Sequence, residues 1–220
     1  MLTIPPALRR ARVRRAVPVA LTAAVTVAAA GLLTACGSGT VPVSAHGSSS
    51  PHETPAARGS SRVPGMAGLA ACQSAGLKVT VDTAQAGGAT GSVYYPVNFT
   101  NTSGAPCGLY GYPGMSLVTA AGSAGRQIGA AAQQNPAFGR MAVRLPAAGV
   151  AHAWLQVAQA GNYPAAACRP VTAHWLRVFP PGNTVASYVD VSFSACASAS
   201  TPLLTVTPVR SGHGVRGVTP

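Results

Sequence analysis

Acidic residues are almost missing from this chain of 220 residues, in which Asp and Glu together number 3 against 15 Lys and Arg. The three acids are Glu53, Asp82 and Asp190. Glycoside hydrolysis needs two carboxylates that flank the bond to be broken, and only Asp82 and Asp190 lie in segments with strand character. The composition therefore argues against hydrolysis by a pair of carboxylates.

The basic residues also lack a cluster. Ten of them follow Cys36, scattered from Arg58 to Arg216, and with the three acids they give this part of the chain a net charge of +7. Nucleic-acid-binding domains concentrate Lys and Arg on one face or along one helix. We therefore expect no nucleic-acid partner, and a weakly basic surface attracted to anionic wall polymer or lipid.

Catalytic motifs are missing too, since no Gly-x-Ser-x-Gly nucleophile turn occurs. His152 and His174 are the only histidines between residues 71 and 209. Alternation places His152 opposite an apolar strand face, so we expect an exposed strand residue and not a base. His174 begins a strand, and we expect it to be structural. A hydrolase that uses His152, His174 or Asp190 remains the alternative, but we expect no catalytic site.

The N-terminus does carry a clear signal. Five arginines lie in residues 1–15, an uncharged apolar run fills residues 16–33, and Leu33-Thr34-Ala35-Cys36 closes it. This layout is typical of a secretory signal peptide. The segment resembles a bacterial lipoprotein signal, which implies acylation of the Cys36 thiol and cleavage before it. An uncleaved membrane helix is the alternative, although the run is only marginally long enough to span a bilayer.

Residues 36–70 are rich in Gly, Ser, Pro, Ala and Thr. Such a segment buries too little apolar area to offset its ordering entropy, so it is expected to be a disordered tether. As a random coil it would reach roughly 30–35 Å. His46, His52 and Met66 could instead make the protein a metal-carrying lipoprotein, although we expect a solvated tether and no metal or cofactor.

From residue 71 to residue 209 apolar and polar residues alternate, which indicates half-buried strands. Gly and Pro interrupt the pattern at nearly every gap. Seven to nine short strands in one stretch predict an all-β, antiparallel β-sandwich of immunoglobulin-like type, followed by a disordered tail over residues 210–220. The candidate strands lie near residues 77–82, 93–99, 115–117, 141–145, 151–157, 175–179, 188–193 and 203–209.

Four cysteines follow Cys36. An even number in an exported domain indicates two disulfides, and no metal-binding spacing occurs among them. Three pairings are possible, and we favour the local one, Cys72–Cys107 with Cys168–Cys196. Each bond would close a loop of about 30 residues and contribute roughly 3–4 kcal/mol in the chain-entropy model.

One segment, Val97-Asn-Phe-Thr-Asn-Thr-Ser-Gly-Ala-Pro-Cys107 continuing to Leu117, resembles the DUF4232 family of actinobacterial exported proteins and lipoproteins. Leu176-Arg-Val-Phe-Pro-Pro-Gly182, the Ala195-Cys196 step and Leu204 to Val209 also fit. The resemblance covers residues 72–209. It implies an immunoglobulin-like sandwich with two disulfides and supplies no activity or catalytic residue.

We therefore expect the function to depend on a binding surface of the domain. Trp154, Arg177 and Tyr188 are expected on an outer sheet face, and aromatic residues and Arg are enriched at binding hot spots. We expect a non-enzymatic binding or structural module that is lipid-anchored on the extracytoplasmic face of an actinobacterial-type cell membrane. Besides the membrane, its partner would be an envelope protein or wall glycan.

Acylation at Cys36 can be tested directly. A Cys36→Ser variant should accumulate as an unlipidated precursor, because the thiol that accepts the lipid is missing. Metabolic labelling with a fatty-acid analogue and membrane fractionation measure this. Membrane partition of a cleaved Cys36→Ser chain would contradict the anchor.

Overall fold

The computed structural model describes residues 62–215 and residue 217. The predicted signal peptide, Cys36 and most of the predicted tether, with His46 and His52, lie outside the described residues. Within them the chain is mostly β, with one short helix, α1 (Ala165–Cys168), and three single 3₁₀ turns. The prediction of an all-β domain is thereby confirmed at the level of secondary structure.

The described residues form thirteen strands, more than the seven to nine expected, because several are only two or three residues long. They are β1 (Leu77–Val81), β2 (Gly87–Ala89), β3 (Ser92–Asn101), β4 (Cys107–Tyr110), β5 (Gly114–Val118), β6 (Gln127–Ile128), β7 (Gln133–Gln134), β8 (Ala142–Leu145), β9 (Val150–Ala158), β10 (Pro170–Phe179), β11 (Ser187–Cys196), β12 (Leu204–Val206) and β13 (Arg210–Ser211).

These strands make three sheets. A seven-stranded sheet has the order β1-β3-β9-β12-β7, with β2 added to β3 and β13 added to β9. A four-stranded sheet has the order β11-β10-β5-β6, and β4 pairs with β8 separately. All pairs are antiparallel except β12 with β7, so the expectation of purely antiparallel sheets needs that one correction.

Alternate residues of the long strands supply one hydrophobic core. Val97 and Phe99 of β3 and Ala153 and Leu155 of β9 come from the seven-stranded sheet, and residues such as Leu176 come from the four-stranded sheet. Period-two burial is what the strand geometry dictates, since successive side chains point to opposite faces. The core is therefore the one that the alternation in the sequence predicts.

The four cysteines pair as Cys72–Cys107 and Cys168–Cys196, which is the local pairing favoured above. Cys72 immediately follows an isolated bridge between Ala71 and Gly108. The first disulfide thus ties the start of the domain to β4, and the second ties α1 to the end of β11.

The folded part extends beyond the predicted limits of 71 and 209 at both ends. Arg62 bridges to Ala70, and Val63 is buried against Gly108. Beyond residue 209, Arg210 and Ser211 form β13 against β9. Part of the predicted tether and part of the predicted tail are therefore ordered, because β4 and β9 offer them backbone hydrogen bonds and apolar surface.

Trp154 corrects the expected contact surface. It does lie on the outer face of β9, but only 3% of it is exposed. Its strand neighbour is Pro96, and its backbone N–H donates to Thr207 Oγ1 at 2.9 Å. Residues 207–211 run beside β9 within the sheet, and Gly214 then lies on the outer face, where a Cβ would collide with Pro96. Alternation in β9 correctly predicts on which face of the strand Trp154 lies. It carries no information on whether residues distant in sequence pack on that face.

Trp154→Ala should therefore destabilise the fold instead of weakening a surface contact. Removing a buried Trp costs about 3–5 kcal/mol of unfolding free energy. Trp175→Ala is the matched control, because Trp175 is only partly buried, and it should cost about 1–2 kcal/mol. Chemical denaturation of both variants measures this, and equal losses would contradict the assignment of Trp154 to the interior.

Candidate functional site

The outer face of the four-stranded sheet carries a set of aromatic and charged side chains that we call the platform. It consists of Trp175, Arg177 and Phe179 on β10 together with Tyr188 and Asp190 on β11. The first four are partly buried and Asp190 is exposed. Large side chains thus lie against the sheet and still present a surface to solvent.

Strand register arranges the platform in rows. Tyr188, Arg177 and Ser116 lie opposite one another on β11, β10 and β5. Asp190, Trp175 and Val118 form the next row in the same way. Cross-strand neighbours have Cβ atoms about 4.5–5.5 Å apart, so the two rows form one continuous surface.

The floor beneath these side chains is closed to water. Val118 is 0% exposed although it lies on the outer face and does not belong to the main core. Ser116 is also buried, with 3% exposure. Their burial follows from the large neighbours in the same rows, Trp175 and Arg177, which shows that the platform is packed.

Arg177 is the best-defined member of the platform. Its Nε donates to Ser116 Oγ at 3.0 Å, and its Nη2 donates to Gln127 Oε1 at 2.9 Å. Its Cζ lies 5.6 Å from the centroid of the Phe179 ring. Two hydrogen bonds to neutral groups therefore hold the guanidinium in one orientation beside an aromatic ring.

The residues considered for hydrolysis are not brought together. His152 lies on the outer face of the seven-stranded sheet, whereas His174 and Asp190 lie on the four-stranded sheet. The Asp82 carboxylate accepts the backbone N–H groups of Ala84 and Gln85 and so caps a turn. This geometry supports neither a triad of His152, His174 and Asp190 nor a carboxylate pair.

His152 is partly buried, not exposed as the sequence predicted, because the C-terminal segment lies against it. Its Nδ1 is 2.9 Å from the carbonyl oxygen of Gly212, so the neutral ring donates from this nitrogen. Burial lowers its pKa below 6.5, the hydrogen bond to Gly212 opposes that shift, and the charges of Arg210 and His213 lower the pKa further. The histidine therefore fastens the C-terminal segment in its neutral form.

Two cavities lie away from the platform. One, of about 230 Å³, is lined by Val63, Pro64, Tyr110 and Pro181, with Arg62 as its only charged residue. The other, of about 150 Å³, contains the contact between Tyr95 and Phe193, whose ring centroids are 4.8 Å apart. Burial raises the pKa of Tyr95. Neither cavity combines a nucleophile with a base.

Metal ligands do not converge in the described part of the chain, where no three His, Cys, Asp or Glu side chains form a group. Met66, the one proposed ligand within that part, lies in a turn closed by its N–H to the Val63 carbonyl. Among the same residues, no helix combines the length and the apolar character that crossing a bilayer requires.

Sequence reasoning selected Arg177 and Tyr188 for the platform but did not select Trp175 or Phe179. For Trp175 the alternation is obscured by a register shift between Ala173 and Trp175. Ala173 and Leu176 both point to the core, so the alternation breaks between them. The pairing of Trp175 with Asp190 on β11 shows that Trp175 lies on the outer face of the sheet.

The lowered pKa of His152 predicts a pH dependence of stability. Below pH 6.5 the unfolded chain binds a proton that the folded histidine resists, so the unfolding free energy should fall as the pH decreases from 6.5 through the lowered pKa. His152→Gln should reduce this slope between pH 7.5 and 5, measured by denaturation at each pH. His174→Gln, at an exposed position, serves as the control, and an equal effect would contradict the assignment to His152.

A comparison with known families gives one match. The family model described as "Domain of unknown function (DUF4232)" matches residues 72–210. No match was found among curated proteins or among solved structures. The matched range covers both disulfides, the platform and all but the last of the thirteen strands in full.

Proposed function

Since the chain belongs to the DUF4232 family, whose description assigns no activity, we propose from the geometry that it is a non-enzymatic binding module of the cell envelope. The protein would be held at the extracytoplasmic face of the membrane by acylated Cys36. Its platform would bind wall glycan, with an envelope protein as the second candidate.

The location is supported by the cysteines. Both disulfides fit an extracytoplasmic protein, because disulfides form and persist in oxidising compartments. The Leu33-Thr34-Ala35-Cys36 segment adds the finer proposal of a lipid anchor. Two or three acyl chains would hold the protein stably, since one chain alone gives only marginal binding.

Our proposal for the fold also goes further than the secondary structure alone. We infer an immunoglobulin-like sandwich, in which the seven-stranded and four-stranded sheets pack face to face. Support comes from the shared core, to which inner residues of β3, β9, β10 and β11 all contribute. A rigid sandwich of this kind would present the outer face of either sheet as a binding surface.

The platform carries the proposal of binding. Trp175, Tyr188, Phe179 and Arg177 lie side by side on an open sheet face, supported from below by Ser116 and Val118. Exposed aromatic surface of this type marks interaction sites. On the opposite outer face, Trp154 is buried and Gly214 lies against Pro96 and His152. Among residues 62–215, the side chains considered for an enzymatic role do not converge.

Cosedimentation with isolated cell-wall sacculi tests the platform. The mature lipoprotein in detergent should bind, and Tyr188→Ala should weaken binding at least tenfold, because truncation of a hot-spot residue costs about 2 kcal/mol or more. Ser192→Ala is the control, since Ser192 is an exposed residue of the same strand. Undiminished binding by Tyr188→Ala, at unchanged thermal stability, would overturn the proposal.

A further inference from the structure

The chemistry of the ligand can be inferred from the hydrogen bonds that Arg177 makes and from those that it leaves unmade. A guanidinium has five N–H donors. Arg177 uses two of them, one on Nε and one on Nη2, for Ser116 and Gln127. Three donors remain, on the end of the group formed by Nη1 and Nη2, and they have no acceptor among the described residues.

Both partners of Arg177 are neutral. Asp190 is the only acid on the four-stranded sheet, and it lies in the next row of the platform, but it makes no ion pair with Arg177. Residues 62–215 contain eight Lys and Arg against two Asp, a net charge of +6. Arg177 therefore makes no ion pair, and it belongs to a domain that is itself basic.

The free end of the guanidinium has a defined orientation. Its planar pair of nitrogens matches the two oxygens of a carboxylate or phosphate. Because Ser116 and Gln127 already hold the group, binding an anion costs little further side-chain entropy. The arrangement is thus better suited to an anionic ligand group than to a neutral hydroxyl.

We propose that Arg177 recognises a carboxylate or phosphate group of an anionic glycan polymer, whose sugar rings pack on the aromatic residues of the platform. This inference rests on the function proposed above, because it assigns the ligand chemistry of the same face. Tyr188 lies opposite Arg177 on the adjacent strand, and the Phe179 ring centroid is 5.6 Å from its Cζ. The charge and the flat apolar surfaces are therefore adjacent, as a charged sugar requires.

Binding to defined polymers tests the proposal with the mature lipoprotein in detergent. Polygalacturonate supplies carboxylates, phosphorylated dextran supplies phosphates, and unmodified dextran is the neutral control. Arg177→Gln should weaken binding to at least one anionic polymer at least tenfold. Arg144→Gln, which removes the same charge from an exposed position on β8, should change it less than twofold. Equal losses in the two variants would show that binding depends only on general charge attraction, and would overturn the proposal.

A second variant covers the case in which Arg177→Gln disturbs the sheet. Gln127 Oε1 lies 2.9 Å from Arg177 Nη2 on an exposed edge of the sheet. Gln127→Glu should place a carboxylate against the guanidinium, neutralise it internally and abolish binding of the anionic polymers, while thermal stability is kept. Retained binding at full affinity would contradict the proposal.

The remaining outcomes separate the ligand classes. Stronger Arg177-dependent binding to phosphatidylglycerol vesicles or to poly-glutamate than to either anionic glycan would replace the glycan by a lipid surface or an acidic peptide. If sacculi binding depends on Tyr188 but not on Arg177, the platform function stands and the anion assignment fails. If it depends on neither residue, the proposed function fails as well.

Discussion

Burial of Leu176 and Val178 is the constraint on which the surface of this domain depends. Both side chains are fully buried in the core, and the strand geometry then sends Trp175, Arg177 and Phe179 to the opposite face. A slip of one residue would exchange the two sets and place a guanidinium in the core. Strand β10 also pairs on both sides, with β11 and β5. Its register therefore sets the position of every platform residue at once.

The register shift near the start of β10 changes which residues of this strand face the core. From Ala173 to Leu176 the chain advances three residues, while the opposite stretch from Phe193 to Val189 advances four. An extra residue on one strand is a β-bulge, which redirects side chains and increases the local twist. Here it lets Ala173 and Leu176 both face the core. The aromatic residues that follow can then share the outer face with Arg177.

Local patterns allowed much of the fold to be predicted. Alternation identified the long strands, since the inner and outer residues of β3, β9 and β11 differ sharply in hydrophobicity. In the Asn101-Thr-Ser-Gly104 segment, whose residue types favour a turn, Asn101 accepts the backbone N–H and the hydroxyl of Ser103. Its Nδ2 also donates to the distant carbonyls of Leu145 and Pro146. No local pattern indicates those partners, because they belong to another loop.

The candidate site could be predicted only in part, for the same reason. Arg177 and Tyr188 follow from alternation, whereas Trp154 has neighbours more than fifty positions away, Thr207 beside its backbone and Gly214 against its strand neighbour Pro96. Both tryptophans lie on outer faces, but Trp154 is buried and Trp175 is only partly buried. In the seven-stranded sheet, Gly214 approaches Pro96 and His152 too closely for any side chain at that position. The absence of a Cβ at Gly214 permits this close approach.

The scarcity of acidic residues determines the charge of the platform. An arginine on a sheet can pair with a neighbouring carboxylate, and its charge is then neutralised within the fold. Here a hydroxyl and an amide take that place, and they orient the guanidinium without neutralising it. A neutral acceptor costs less desolvation than a carboxylate and leaves the field of the cation directed outward. The same composition that argues against acid–base hydrolysis thus leaves a fixed positive charge among aromatic rings, and the proposed binding depends on this arrangement.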